Sequence, residues 1–493
     1  MTLGFGDYLS LLGAEALLTG LALLMILIGL FMKNKNLMGY LSLAGLVVSL
    51  FLVMGTDMTK GALFYGTMEV DALSQFFKLV FVAVALIVVM AGLSRYKDSP
   101  AQDEFYVLLL FATVGMMVVA SSMDLITLFI GFELASLSTY AMSAFDKEKK
   151  NLEAAMKYFI FGSVSSAMML FGFSLLYGLT GTTRLAEIAA ASVESMGPAT
   201  LVALLFVVAG FGFKMAIVPF HMWAPDTYEG SPTIVTAFLA AGSKKMGFVA
   251  AFKVLFIAMI ALSFEWYMAF AILVAITMTL GNVVAIWQKS VKRMLAYSSV
   301  AYAGYIAIAF VVVGAANNGG VLDLPMAQNG LASGLMLILG HAFMKTGAFI
   351  AVAVVGYMAL SEGKKNPDDL EHYAGLGQRA PITAFCMLIF LFSLSGIPPT
   401  AGFVGKFMLW GSTIESGLVW LAVLFALNSA LSLYYYLRVI MHMYMKEPTG
   451  AKIAEPKGYV LAMIVAMVAV LWIGLFPQAF VDFAYSAAGV LLH

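Results

Sequence analysis

Long apolar runs, each about long enough to cross a bilayer as a helix, alternate with short polar breaks along almost the whole chain. About twenty apolar residues span the hydrocarbon core in that conformation. Roughly fourteen such runs can be marked: 9–32, 37–55, 72–94, 104–121, 123–145, 151–180, 199–219, 232–258, 266–288, 291–313, 327–360, 380–396, 417–445 and 458–477. Alternation with a period of two is absent over long stretches, which excludes a β-barrel. The pattern predicts an all-α polytopic membrane protein without strands. Helix breakers interrupt two of the runs. The stretch KMAIVPFHMWAPDTYEGSP (214–232) ends an apolar run at Pro219, passes through a polar segment and restarts at Pro232. The stretch SLSGIPPTAGFVGKF (393–407) breaks at Gly396, Pro398 and Pro399, just before Lys406. Proline removes a backbone donor and clashes with the preceding turn. Backbone groups freed at membrane depth are tolerated only where protein or water satisfies them, and paired broken helices mark ion paths and internal repeats in transporters.

Charge adds orientation. Loops after odd-numbered runs carry sixteen Lys and Arg, and loops after even-numbered runs carry only Lys60 and Arg184. The positive-inside rule then places the basic loops, which include Lys33 and Lys35, in the cytoplasm and both termini outside. The first run carries Glu15 and is not followed by a small-residue cleavage site, so it is expected to stay as a membrane helix. The chain is 62% hydrophobic and 11% charged with a net charge of zero, which argues against nucleic-acid partners. Cys386 is the only cysteine, so neither a disulfide nor an iron–sulfur cluster is expected. The five histidines are scattered, and the 34 methionines read as apolar filler. No cofactor or metal is expected in this chain.

Against this background six ionisable residues stand out inside the runs: Glu133, Lys157, Lys214, Lys244, Lys345 and Lys406. Each costs a few kcal/mol to insert at the centre of a bilayer on translocon scales, so a series of them reads as a path for protons. Each also has a structural reading. Glu133 suits an ion pair with a lysine, and with Lys214 it would form a pair gating proton entry. Lys214 precedes a break and is placed to satisfy freed carbonyls, as is Lys406 after the second. Lys157 lies near enough to a run end to snorkel. Lys244 and Lys245 point about 100° apart on a helix, so one of the two is expected on the path. His341 and Lys345, four residues apart, share a helix face. Lys78, Lys253 and Arg438 lie nearer run ends and are expected to snorkel. Lysine suits a relay because burial and neighbouring charge move its proton affinity, whereas arginine stays protonated.

A faint repeat accompanies the breaks. KNLEAAMKYFIFGSV from Lys150 and KSVKRMLAYSSVAYA from Lys289 both enter a run through a tyrosine, Tyr158 and Tyr297. The expected units are runs 4–8 (104–262) and runs 9–13 (263–446), preceded by 1–103 and followed by 447–493. With five helices each, the units must be inverted.

These motifs resemble the N subunit of the respiratory complex I family. The resemblance rests on DLITLFIGFELASLSTY (124–140), EAAMKYFIFGSVSSA (153–167), HMWAPDTYEGSPTIVTAFLA (221–240), Ser243–Lys244 and GIPPTAGFVGKF (396–407). It implies a fourteen-helix fold with two inverted five-helix repeats and broken helices 7 and 12. It implies proton translocation across a prokaryotic inner membrane, driven by electron transfer to a quinone, with flavin, iron–sulfur clusters and quinone held by partner membrane and peripheral subunits. By position it assigns roles to Glu133, Lys214, Lys244 and Lys406, and adds Lys157 and His221. The run HAFMKTGAF (341–349) departs from many bacterial N subunits and is closer to archaeal relatives fed by a reduced deazaflavin, so the donor stays open, as does the acceptor between quinones and a phenazine. A Mrp-type or free-standing cation/proton antiporter shares the fold. WAPDTYEG, and a length too short for the lateral C-terminal helix of the larger relatives, favour the N subunit. A membrane scaffold with vestigial charges is the remaining alternative.

Overall fold

A computed structural model describes all residues except 1–4, 33–34, 57–60, 193–196, 319–320, 449, 451, 453 and 493, so Lys33 and Lys60 of the charge pattern lie outside it. Fourteen spans follow the predicted order: Phe5–Phe31, Asn36–Met54, Ala72–Arg95, Gln102–Ser121, Leu125–Ser143, Lys149–Thr180, a broken seventh, Thr233–Ala258, Ser263–Ile286, Val291–Ala316, Leu324–Ser361, a broken twelfth, Val419–Met445 and Lys457–Leu475. Several begin on side-chain caps. Asp71 and Ser74 form a capping box ahead of the third span, and Asp124, Ser290 and Asp323 accept backbone N–H groups ahead of the fifth, tenth and eleventh. Each cap takes up donors that a helix start leaves unbonded.

The seventh span runs Pro198–Met215 and then Trp223–Gly230. It ends four residues before the Pro219 expected from sequence. Ala216 turns left-handed with φ 55°, and the N–H of Ile217 closes back on the Gly212 carbonyl at 3.0 Å. The WAPDTYEG segment, expected as a polar turn, is a helix. Its polar face is used against neighbouring spans, so its composition misled. The twelfth span runs Pro381–Ser395 and Ala401–Glu415, with Gly396 left-handed at φ 86° between them.

Spans 4–8 and 9–13 each contain one broken helix, the fourth of five. The eighth, tenth and eleventh spans form the centre: 100%, 94% and 89% of their apolar windows are buried, against 33% for the first and fourteenth. Helices apolar all round belong in such a centre. The eighth span is not uniform. π-Helical turns at Leu239–Ser243 and Val254–Ala258 flank its α-helical middle, Lys244–Lys253. Contrary to the strand-free expectation, two short hairpins occur, Gly61–Leu63 with Met68–Val70 and Asn317–Asn318 with Val321–Leu322. Both lie in loops after even-numbered spans, where short polar connections left no helical signal. A further helix, Gln478–Val490, follows the fourteenth span and packs on the third and eleventh.

Candidate proton path

At the first break the freed carbonyls are taken by other groups. The Phe213 carbonyl accepts from Ala216 N at 2.9 Å and from the Trp223 indole at 2.7 Å. Trp223 then stacks on Tyr158, centroids 4.6 Å apart and planes 10° off parallel. Lys214, one turn before the break, is 1% exposed. Its ammonium donates to Ser136 Oγ at 3.0 Å and to Tyr158 OH at 3.2 Å, within 5.4–6.0 Å of the Phe132, Tyr140 and Tyr158 rings. Gly247 lets the eighth span approach, since a Cβ there would sit 2.9 Å from Lys214 Cβ. The expected direct pair with Glu133 is not formed: no ion pair within 4.0 Å links them among the described residues. Glu133 accepts from the Ser166 hydroxyl instead. Ser136, three residues on, lies on the same helix face and bridges the gap.

Lys157 is not on this line. Its half-exposed side chain pairs with Glu153 at 2.9 Å and Asp226 at 3.2 Å. Asp226 and Glu229 also bind Arg293, at 3.0 and 2.6 Å. The acids of WAPDTYEG thus clamp the starts of spans 6 and 10. His221 sits half-buried in the non-helical link between the two halves of span 7.

Across the centre both adjacent lysines are buried, where one was expected. Lys244 donates to the Ser299 carbonyl at 2.7 Å. Lys245 lies 2.7 Å from His341 Nδ1, and this contact, not one from Lys244, joins the two halves. Two protonated nitrogens cannot hydrogen-bond each other, so the Lys245–His341 pair holds one fewer proton than full protonation would give it. His341 also packs on Tyr302, centroids 4.6 Å apart. Lys345 turns to the Leu295 carbonyl at 2.8 Å and to the Ser298 hydroxyl, which also accepts from Tyr436 OH at 2.7 Å. Neither His341 nor Lys345 faces lipid; both are fully buried.

At the second break Lys406 donates to the Leu394 and Ser395 carbonyls at 3.0 and 3.1 Å and meets Ser429 Oγ at 2.9 Å. Tyr302 and Tyr305 lie 5.2 and 5.3 Å below its ammonium, and Tyr302 OH also donates to the Leu394 carbonyl.

Three residues assigned to snorkelling do something else. Lys78 is 2% exposed and pairs with Glu15 at 2.7 Å. Lys253 is fully buried against the Ser122 carbonyl at 3.2 Å. Arg438 binds the carbonyls of Ile286 and Gln288 at 3.0 and 2.5 Å, at the end of the ninth span. Distance from a helix end says nothing about which protein surface covers that end.

The arrangement is a chain of buried amines and one imidazole, each on a hydroxyl, carbonyl or ring nitrogen, crossing both halves through the most enclosed helices. The family model described as NADH:quinone oxidoreductase/Mrp antiporter, TM, matches residues 122–432, from the end of span 4 through span 13. The chain belongs to this family. Its similarity extends beyond the matched region. F(420)H(2) dehydrogenase subunit N of Methanosarcina mazei is 52% identical over 498 positions, 98% of each chain. NADH-quinone oxidoreductase subunit N of Trichlorobacter lovleyi is 38% identical over 494 positions, 98% of this chain and 97% of that one. Among solved structures, a chain of respiratory complex I from Thermus thermophilus superposes with a TM-score of 0.79 at 32% identity, covering 95% of this chain and 98% of that chain.

Proposed function

We propose that this family member is the proton-translocating membrane subunit of a complex I-like redox pump. It is an integral membrane protein and works beside other membrane and peripheral subunits, where flavin, iron–sulfur clusters and the quinone or phenazine site reside. Electron transfer there drives proton export here, and this chain carries no redox step itself. The observation that carries the reading is the line Glu133, Lys214, Lys244 and Lys245, His341, Lys345, Lys406. Its amines occupy the protein interior, each on a proton-accepting or hydroxyl neighbour, where a permanent charge would be costly. A proton enters at Glu133 from the basic-loop side, reaches Lys214 past Ser136, and crosses the repeats at the Lys245–His341 contact. Neutral imidazole can accept on one nitrogen and donate from the other. The basic loops face the cytoplasm and both termini the outside. The repeats are 104–262 and 263–446.

The donor we assign is a reduced deazaflavin rather than NADH. Higher identity to the F(420)H(2) dehydrogenase subunit supports it, as does the ionisable pair in HAFMKTGAF. Inverted vesicles holding the intact complex test both parts. Reduced deazaflavin should acidify the lumen and NADH should not, and Glu133→Ala should remove the acidification while the complex still assembles. Acidification by NADH alone would reverse the donor assignment. Normal pumping by Glu133→Ala would overturn the path.

A further inference from the structure

One cluster of ionisable groups lies away from this line. Lys253 ends the α-helical middle of span 8, eight residues beyond Lys245, or about 12 Å further along the axis at 1.5 Å per residue. Its side chain is fully buried. One of its three N–H groups has the Ser122 carbonyl at 3.2 Å, and the Met123 thioether lies at 3.8 Å. Among the described residues no carboxylate comes within 4.0 Å of it. A fully buried ammonium with one carbonyl and no touching counter-ion is unusual, because burial of an unpaired charge costs several kcal/mol.

The groups that face it come from the side opposite the basic loops. Asp71, Glu69 and Lys78 are the charges that act on Lys253. Glu69 sits on the strand Met68–Val70, whose Met68 bridges to Ser122, so the strand is fixed beside the carbonyl that holds Lys253. Asp71 caps span 3. Lys78 is neutralised by Glu15 at 2.7 Å. Asp124, two residues past Ser122, is engaged in capping span 5 and by the Thr183 hydroxyl. Burial, with Asp71 adding to it, lifts the half-buried Glu69 carboxyl above the usual carboxylate range, which makes it a better proton acceptor than an exposed glutamate.

We propose that Lys253, with Glu69 and Asp71, is a proton-release site through which the first repeat discharges to the face opposite the basic loops, independently of Lys406. This rests on the proton-path reading above. A proton passed along span 8 through water, as polar groups this far apart require, loads the Lys253 amine. An N–H bond of its ammonium then breaks as an O–H bond forms on the Glu69 carboxylate, and Glu69 passes the proton to bulk water. No oxidant or co-reactant is involved.

The test uses the intact complex in native membranes, reading donor-driven proton release, electron-transfer rate and thermal midpoint. Lys253→Arg keeps the charge but cannot release the proton; Lys253→Gln keeps a donor for the Ser122 carbonyl but no titrating amine. Both should slow coupled release roughly tenfold or more, within the usual worth of a proton-transfer group, with an unchanged thermal midpoint. Glu69→Gln, in the hairpin outside the spans, should slow release in the same direction, and it decides the matter if the Lys253 variants do not assemble. Wild-type release by Glu69→Gln and by whichever Lys253 variants assemble overturns the outlet. Glu133→Ala, measured alongside, separates the two readings: severe loss there with normal Lys253 and Glu69 variants removes only the outlet, and normal pumping in all of them removes the proton path itself.

Discussion

At the seventh span the carbonyls freed by the break are held by backbone N–H groups and Trp223, and Lys214 points away to Ser136 and Tyr158. At the twelfth span Lys406 itself holds two freed carbonyls and reaches Ser429. The structural role weighed for both lysines therefore belongs to Lys406 alone. Lys214 can lose its proton without loosening any backbone. Lys406 faces a stricter condition. Protonated, it has three donors for three neighbours. Neutral, it keeps two N–H groups for the carbonyls, and its lone pair can then accept from the Ser429 hydroxyl. Ser429 is the neighbour at which protonation can change while the break stays closed.

The largest effect is expected at Lys406. Lys406→Ala should abolish pumping and lower the thermal midpoint of the complex, since each carbonyl left without a partner costs about 1–3 kcal/mol. An unchanged midpoint would mean that water or Tyr302 closes the break unaided. Lys214→Ala should cut pumping roughly tenfold or more while the midpoint hardly moves. A midpoint drop equal to that of Lys406→Ala would erase the distinction between the breaks. Glu133→Asp should keep part of the activity that Glu133→Ala loses. Between the breaks, Lys245→Ala should impair turnover of assembled complex at least as much as Lys244→Ala, because Lys245 makes the contact with His341. A mild Lys245→Ala phenotype would return the crossing to Lys244. The smallest effects belong to the hydroxyl neighbours. Tyr158→Phe removes one of two acceptors from Lys214, and Ser429→Ala one of three contacts from Lys406. Each should cost about 0.5–1.5 kcal/mol of interaction, seen as a several-fold loss of rate, and Ser429→Ala should leave the thermal midpoint close to wild type.

The charged members of the path were legible because lysine and glutamate have no other business in an apolar run. Both breaks were legible from Pro219, Gly396, Pro398 and Pro399. Their neighbours were not. Ser136, Ser298, Ser299, Ser429 and Tyr436 look like any hydroxyl in a membrane helix until tertiary packing places an amine against them. Glu15 was noticed only as a mark against a cleavable leader, since its partner Lys78 is sixty-three residues away. Lys78 and Lys253 were misjudged because position along a helix was used in place of what packs around it. The choice of Lys244 over Lys245 failed for a local reason: the π-helical turn just before them changes which face each presents.

That turn also restricts how the gene can change. A π-helical turn closes one residue later than an α-helical one, so it stores an extra residue within a hydrogen-bonded helix. Removing one residue from Leu239–Ser243 would let the segment relax to α-helix and swing everything after it by about 100°. Lys245 would leave His341, Gly247 would leave Lys214, and Lys253 would leave Ser122, all in one step and without replacing a single one of those side chains. A substitution tests one contact at a time. A single-codon deletion here would disconnect both halves together, and a compensating insertion between residues 239 and 243 is the one repair that would restore all three contacts at once.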